Sequence, residues 1–161
     1  MIKVLFLCTA NSCRSILSEA IFNELAPSGM HAFSAGSIPK GEIHPLTLKA
    51  LQRAGVATDQ LFSKPIEFHE ELSPDFVITV CDKAAGEACP AYFGSAIKAH
   101  WGLSDPSDLQ GDPALVDAAF DRTLAIIRER VQAFFALNLG TLNADQMKHE
   151  MARIATLGTG A

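Results

Sequence analysis

The chain has 161 residues, 48% of them hydrophobic and 19% charged, enough for one domain with a buried core. Its formal net charge of −5, with no block of lysine or arginine, argues against nucleic acid as a partner, because phosphate contacts need a basic face. The N-terminus enters a short apolar run at once, with no signal-peptide pattern and too little length to cross a bilayer, so a cytoplasmic protein without membrane association is expected.

Residues 2–7, IKVLFL, form a short run that is apolar apart from Lys3, as in a buried strand of a parallel sheet. After the stretch CTANSCRS (8–15), Ile16, Leu17, Ala20, Ile21 and Leu25 recur at helical spacing until Pro27 ends the pattern. HAFSAGS (31–37) reads as a second strand. In HPLTLKALQRAG (44–55), Pro45 suits a first helical turn and Gly55 a C-terminal cap. DFVITVC (75–81) is the clearest buried strand, and AIKAHWGL (96–103) is a fourth, followed by the polar loop SDPSDLQGD. From Ala114 to Leu137, Val116, Ala119, Phe120, Leu124, Ile127, Val131 and Phe134 mark one long amphipathic helix. Strands alternating with helices predict an α/β layered domain around a parallel sheet.

The tail departs from this rhythm. Asn143 suits the cap of a helix with Met147, Met151 and Ile154 on one side, which packs either on its own domain or on a partner. The division expected is a domain over 1–140 and a helical extension over 141–161.

Four cysteines, Cys8, Cys13, Cys81 and Cys89, invite a disulfide reading. A reducing cytosol disfavours static disulfides, leaving metal binding, redox chemistry, a nucleophile or plain packing. No interval is CxxC, which argues against structural zinc. His31, His44, His69, His100 and His149 show no paired metal-ligand spacing and read as surface or capping residues. No metal and no cofactor is assigned.

The loop between the first strand and first helix carries the chemistry. Backbone N–H groups and the positive helix end make such a loop a nest for tetrahedral oxyanions. Arg14 adds a planar fork that grips two oxygens. Cys8 would lie beneath the anion, where the same field favours its thiolate, and Ser15 can donate to that sulfur. Asn11 tolerates left-handed angles and can hold the loop's turns. Thr9, Ala10, Asn11, Ser12, Cys13, Arg14 and Ser15 together form the expected cradle. Cys81 ends a strand at the sheet edge where parallel sheets bind ligands, with Cys89 eight residues further on.

CTANSCRS resembles the signature loop of the low-molecular-weight protein tyrosine phosphatase superfamily, with the likeness running from residue 2 to about 137. TVCDKAAGEACP (79–90) and AHWGLSDPSDLQG (99–111) are similar to the thiol-coupled arsenate reductases built on that fold. The resemblance implies a single-domain, three-layer αβα fold with a central four-stranded parallel sheet. It also implies that Cys8 attacks arsenate and Cys81 then attacks Cys8, expelling arsenite. Cys89 would attack Cys81 and pass the disulfide to a thioredoxin- or glutaredoxin-type reductant. Phosphate or sulfate would bind as analogues. Asp105 matches the family's general acid, with Asp108 as the fallback.

A phosphatase hydrolyses its cysteinyl-phosphate with water and needs no second thiol, whereas a reductase needs thiols in pairs. A phosphatase acting on small phosphomonoesters or phosphotyrosine therefore stands as the alternative, and a non-catalytic oxyanion-binding module as a third reading. Ser107 and Asp108 follow the DP pair where phosphotyrosine-directed relatives carry tyrosine, which favours a small oxyanion. Ala10 replaces a glycine usual in arsenate reductases, so the loop is expected to close differently. Some relatives keep a monovalent cation behind the loop. Asn11, Glu19 and Ser34 offer oxygens for one, yet Lys64 stands near where another acid is expected, and no ion is assigned. His100 and Trp101 are expected to shape the sheet edge near the site.

Overall fold

Four parallel strands form the centre of the computed structural model, which describes residues 1–87 and 89–158. They are β1 (Ile2–Cys8), β2 (Met30–Gly36), β3 (Phe76–Thr79) and β4 (Ile97–His100), hydrogen-bonded in the order β2-β1-β3-β4. Leu5 of β1 sits opposite Phe33 and Val77, and Cys8 opposite Gly36. Alternation along β1 feeds two cores. Val4, Phe6 and Cys8 face the larger one, with apolar residues of α1 (Arg14–Leu25), α2 (Pro45–Arg53), α4 (Pro113–Phe135) and α5 (Ala144–Ile154). Leu5 and Leu7 face a smaller one with Ala35, Val77, Phe93 and Ala96. Short helical turns at 66–69 and 91–93 contribute Ile66 and Phe93 to that second face. The three layers are therefore unequal in thickness.

Local sequence explains the element ends. Ala26 is extended (φ −65°, ψ 137°), as the residue before a proline prefers, and α1 stops there. Pro45 opens α2, His44 Nδ1 accepts from Leu46 N, and Gly55 takes φ +74° just past the helix, the left-handed geometry glycine supplies at no steric cost. Asp112 caps α4 through Ala114 N. Asn23 blocks the outer edge of β2, exchanging two hydrogen bonds with Ala32 that would otherwise be free for another strand.

Three expectations need correction. β3 and β4 span 76–79 and 97–100, shorter than the apolar runs 75–81 and 96–103. Val80 and Cys81 continue the run, but Cys81 leaves the ladder to cap the short helix α3 (Asp82–Ala85). Trp101 follows β4 at the carboxyl end of the sheet, its N–H bonded to Thr79 O, but it does not line the site: it is buried against Phe6 and Phe134, and its indole N–H donates to Met151 O at 3.0 Å. His69 is buried and bonds Ser34 O at 3.0 Å, whereas a surface or capping place was expected.

The tail helix α5 starts with a reciprocal capping box between Asn143 and Gln146, which satisfies two otherwise orphaned N–H groups. Met147, Met151 and Ile154 are buried in the larger core, so its apolar face packs on its own chain. Among the described residues no helix is long and apolar enough to cross a membrane.

β1 lies between β2 and β3. The chain leaves it on one side and returns on the other, opening a crevice at its carboxyl end, the place where open α/β sheets bind ligands. Cys8 is the last residue of β1.

Candidate active site

The loop after Cys8 is held from outside by its carbonyls. Thr9 O accepts from Ile38 N, Ala10 O from Lys40 N, and Ser12 O from both His44 N and Thr47 Oγ1. In a planar trans peptide the N–H points opposite the C=O, so these bonds turn the amides of Ala10, Asn11 and Cys13 toward the interior. Asn11 N indeed donates to Cys8 Sγ at 3.2 Å. The left-handed residue is Asn11, at φ 47°, while Ala10 keeps a negative φ. The methyl at position 10 is accommodated because the strained angle falls one residue later.

Cys8 is 5% exposed, and its sulfur lies 2.8 Å from Ser15 Oγ. Ser15 Oγ also accepts from Asn11 Nδ2 at 2.7 Å, which leaves the hydroxyl hydrogen free to donate to the sulfur. Two donors thus face the Cys8 sulfur. Asn11 Nδ2 donates to Ser34 Oγ as well, and Lys64 N donates to Asn11 Oδ1. Ser34 Oγ bonds Glu19 Oε1, and Lys64 Nζ lies 3.8 Å from that same oxygen while donating to Phe62 O.

Burial pushes the Glu19 carboxyl up, opposed by Ser34 and Lys64, and pushes Lys64 down, opposed by Glu19. The oxygens offered for a monovalent cation are committed to this network, and Lys64 Nζ already stands against Glu19 Oε1. The residues present do not fit such an ion.

Arg14 begins α1, whose N-terminus has no side-chain cap. Its Nη1 donates to Leu103 O at 3.0 Å, and Nη2 lies 3.5 Å from Asp105 Oδ2. Ser107 holds the other carboxylate oxygen, Oδ1, through its N–H (2.9 Å) and hydroxyl (2.6 Å). The fallback Asp108 is exposed, with no ion pair to Arg14. Asp105 is the carboxyl beside the guanidinium.

Cys81, 3% exposed, places its sulfur 3.6 Å from Thr9 Oγ1 and accepts from Ala84 N. Cys89 is exposed, and it lines with Cys8 one cavity of about 320 Å³, together with Thr79 and His100. His100 bonds Thr79 Oγ1 and Asp82 Oδ1. All four cysteines are free thiols.

Cys13 faces the larger core. Burial, opposed by a Thr47 hydrogen bond, pushes its thiol up to about 12. An unfolded thiol ionises near 9, so this contribution to stability is complete below pH 9. It is lost as pH rises from there toward 12, at up to about 1.4 kcal/mol per pH unit. Cys13→Ala will flatten that alkaline limb in a pH series of urea midpoints, and iodoacetamide at neutral pH will leave Cys13 unlabelled in the folded protein. Rapid labelling of Cys13 would contradict this placement.

Some contributors were not singled out in the sequence. A Cβ on Gly36 would come within 2.4 Å of Thr9 O, so only glycine lets β2 approach the loop; the glycine closing HAFSAG was its only trace. Leu103 contributes a backbone carbonyl, which no sequence pattern marks.

The sequence profile of the low molecular weight phosphotyrosine protein phosphatases matches residues 3–150. The chain belongs to this family. Within it, the chain is 31% identical to the arsenate reductase of Halalkalibacterium halodurans over 131 residues, which is 81% of this chain and 93% of that protein. A solved arsenate reductase in its phosphate-binding state superposes with a TM-score of 0.70 at 27% identity, covering 84% of this chain and 98% of the other. The thioredoxin-dependent arsenate reductase of Corynebacterium glutamicum gives 0.60 at 30% identity, covering 82% and 62%.

Proposed function

We propose that this protein is an arsenate reductase, in which Cys8 is the nucleophile, Arg14 and the loop amides hold the oxyanion, Asp105 is the acid, and Cys81 and Cys89 form the relay. The observation that supports it most is the pair of extra thiols beside the nucleophile. Cys81 touches the cradle through Thr9, and Cys89 shares a cavity with Cys8. A hydrolase of this fold needs neither.

The Cys8 thiolate attacks arsenic(V), and protonated Asp105 gives its proton to the departing oxygen, which leaves as water. The Cys81 thiolate then attacks the Cys8 sulfur. The sulfur–arsenic electron pair stays on arsenic, arsenite departs, and a Cys8–Cys81 disulfide remains. Cys89 attacks Cys81, releasing Cys8 as thiolate and leaving Cys81–Cys89 on the outside. The exposure of Cys89 suits delivery of that disulfide to a dithiol reductant of the thioredoxin or glutaredoxin class. Free thiols at rest suit a reducing, cytoplasmic setting.

A small phosphomonoester fits the same first step, because Cys8, Arg14 and Asp105 would serve it equally. The absence of an aromatic residue at 107–108 disfavours phosphotyrosine.

Mass spectrometry after one equivalent of arsenate, with no reductant, tests the relay. The protein is expected to lose the mass of two hydrogens and to yield tryptic peptides joined through Cys81 and Cys89, separable because Lys83 lies between them. Four unchanged thiols with arsenate unconsumed would overturn the reductase reading.

A further inference from the structure

Arg130 lies in α4, away from the oxyanion loop, and is 1% exposed. Its guanidinium donates to three backbone carbonyls, each at 3.0 Å. Nη1 reaches Gly102 O, Nη2 reaches Ala155 O, and Nε reaches Leu157 O. Ala155 is the C-cap of α5, so that bond satisfies a carbonyl that a helix end leaves orphaned, and Leu157 lies two residues beyond it. The third falls on the loop that follows β4.

That loop is the one behind Arg14 and Asp105. Leu103, next to Gly102, accepts from Arg14 Nη1, and its own N–H is anchored to Val80 O. Asp105 is two residues further, 3.5 Å from Arg14 Nη2. A second tie runs in parallel, from the Trp101 indole N–H to Met151 O in α5. A buried guanidinium bonded only to carbonyls costs desolvation that an apolar residue of similar volume would avoid. What the charged fork adds is direction, because it joins three carbonyls from two segments at set angles.

We propose that α5 is a working part of the site, with Arg130 the positioning residue that locks the α5 terminus to the 102–105 loop and, through Leu103 O, aims Arg14 at the oxyanion. This inference rests on the oxyanion-site reading above.

Inorganic phosphate serves as the probe, measured by its protection of Cys8 from the neutral alkylating agent iodoacetamide in the full chain. Coupling of this kind predicts that Arg130→Met raises the half-protecting phosphate concentration about tenfold, with Trp101→Phe and Arg130→Lys raising it about threefold. The alkylation rate without phosphate stays unchanged, since Ser15 and Asn11 still face the sulfur. A role confined to stability would lower the melting temperature and leave half-protection untouched.

Half-protection unchanged in folded Arg130→Met overturns the inference. If that variant does not fold, unchanged half-protection in both Trp101→Phe and Arg130→Lys overturns it equally. Failure of phosphate to protect the unaltered protein would instead remove the oxyanion site itself, and the inference with it.

Discussion

Cys8→Ser is expected to abolish arsenite formation, with a loss of at least about 10³-fold, or roughly 4 kcal/mol of transition-state stabilisation. The change is nearly isosteric, and a serine oxygen at the end of β1 can still meet Ser15 Oγ and Asn11 N, which lie 2.8 and 3.2 Å from the sulfur. Folding and anion binding should therefore survive. What disappears is the ionised nucleophile: the same two donors cannot hold a serine as alkoxide near neutral pH, and oxygen cannot join a disulfide. Arsenite release under saturating reductant, beside phosphate binding by calorimetry, measures both halves. Activity within tenfold of the parent would mean that the nucleophile lies elsewhere.

The second large effect concerns Cys81→Ser. Multiple-turnover arsenate reduction with a thioredoxin-type donor should fall to background, because no internal thiol remains to break the sulfur–arsenic bond. Hydrolysis of p-nitrophenyl phosphate should stay within about twofold, since that reaction needs only the nucleophile, cradle and acid. The contrast between the two substrates is the informative quantity. A general packing defect at this buried position would lower both activities together. Undiminished arsenate turnover would remove the relay.

Much of the site was legible along the chain because it is local. Cys8, Asn11, Arg14 and Ser15 lie within one loop, and a strand-loop-helix unit needs only neighbouring residues to point amides at an anion. The apolar run before it and the helical spacing after it already implied where that loop would sit. Cys81 could be placed at the same sheet edge because it closes the clearest strand pattern. Strand ends were less legible: Val80 and Cys81 are as apolar as the ladder residues before them, and periodicity does not say where pairing stops. Trp101 illustrates the same limit, since a tryptophan beside a candidate loop reads as a site residue until the helix that covers it is known.

Composition and pattern alone determined the layer type and singled out the proposed oxyanion loop with Cys8 as its candidate nucleophile, while the roles proposed for Cys81 and Cys89 came from the family resemblance. Each of these depends on residue identity and short-range spacing. Tertiary structure decided which carboxyl faces Arg14, how Lys64 comes to stand against Glu19, why position 36 has no side chain, and that α5 reaches Gly102 through Arg130. Those contacts join segments far apart in the chain. Several end on backbone carbonyls, which every residue possesses and no sequence signal distinguishes.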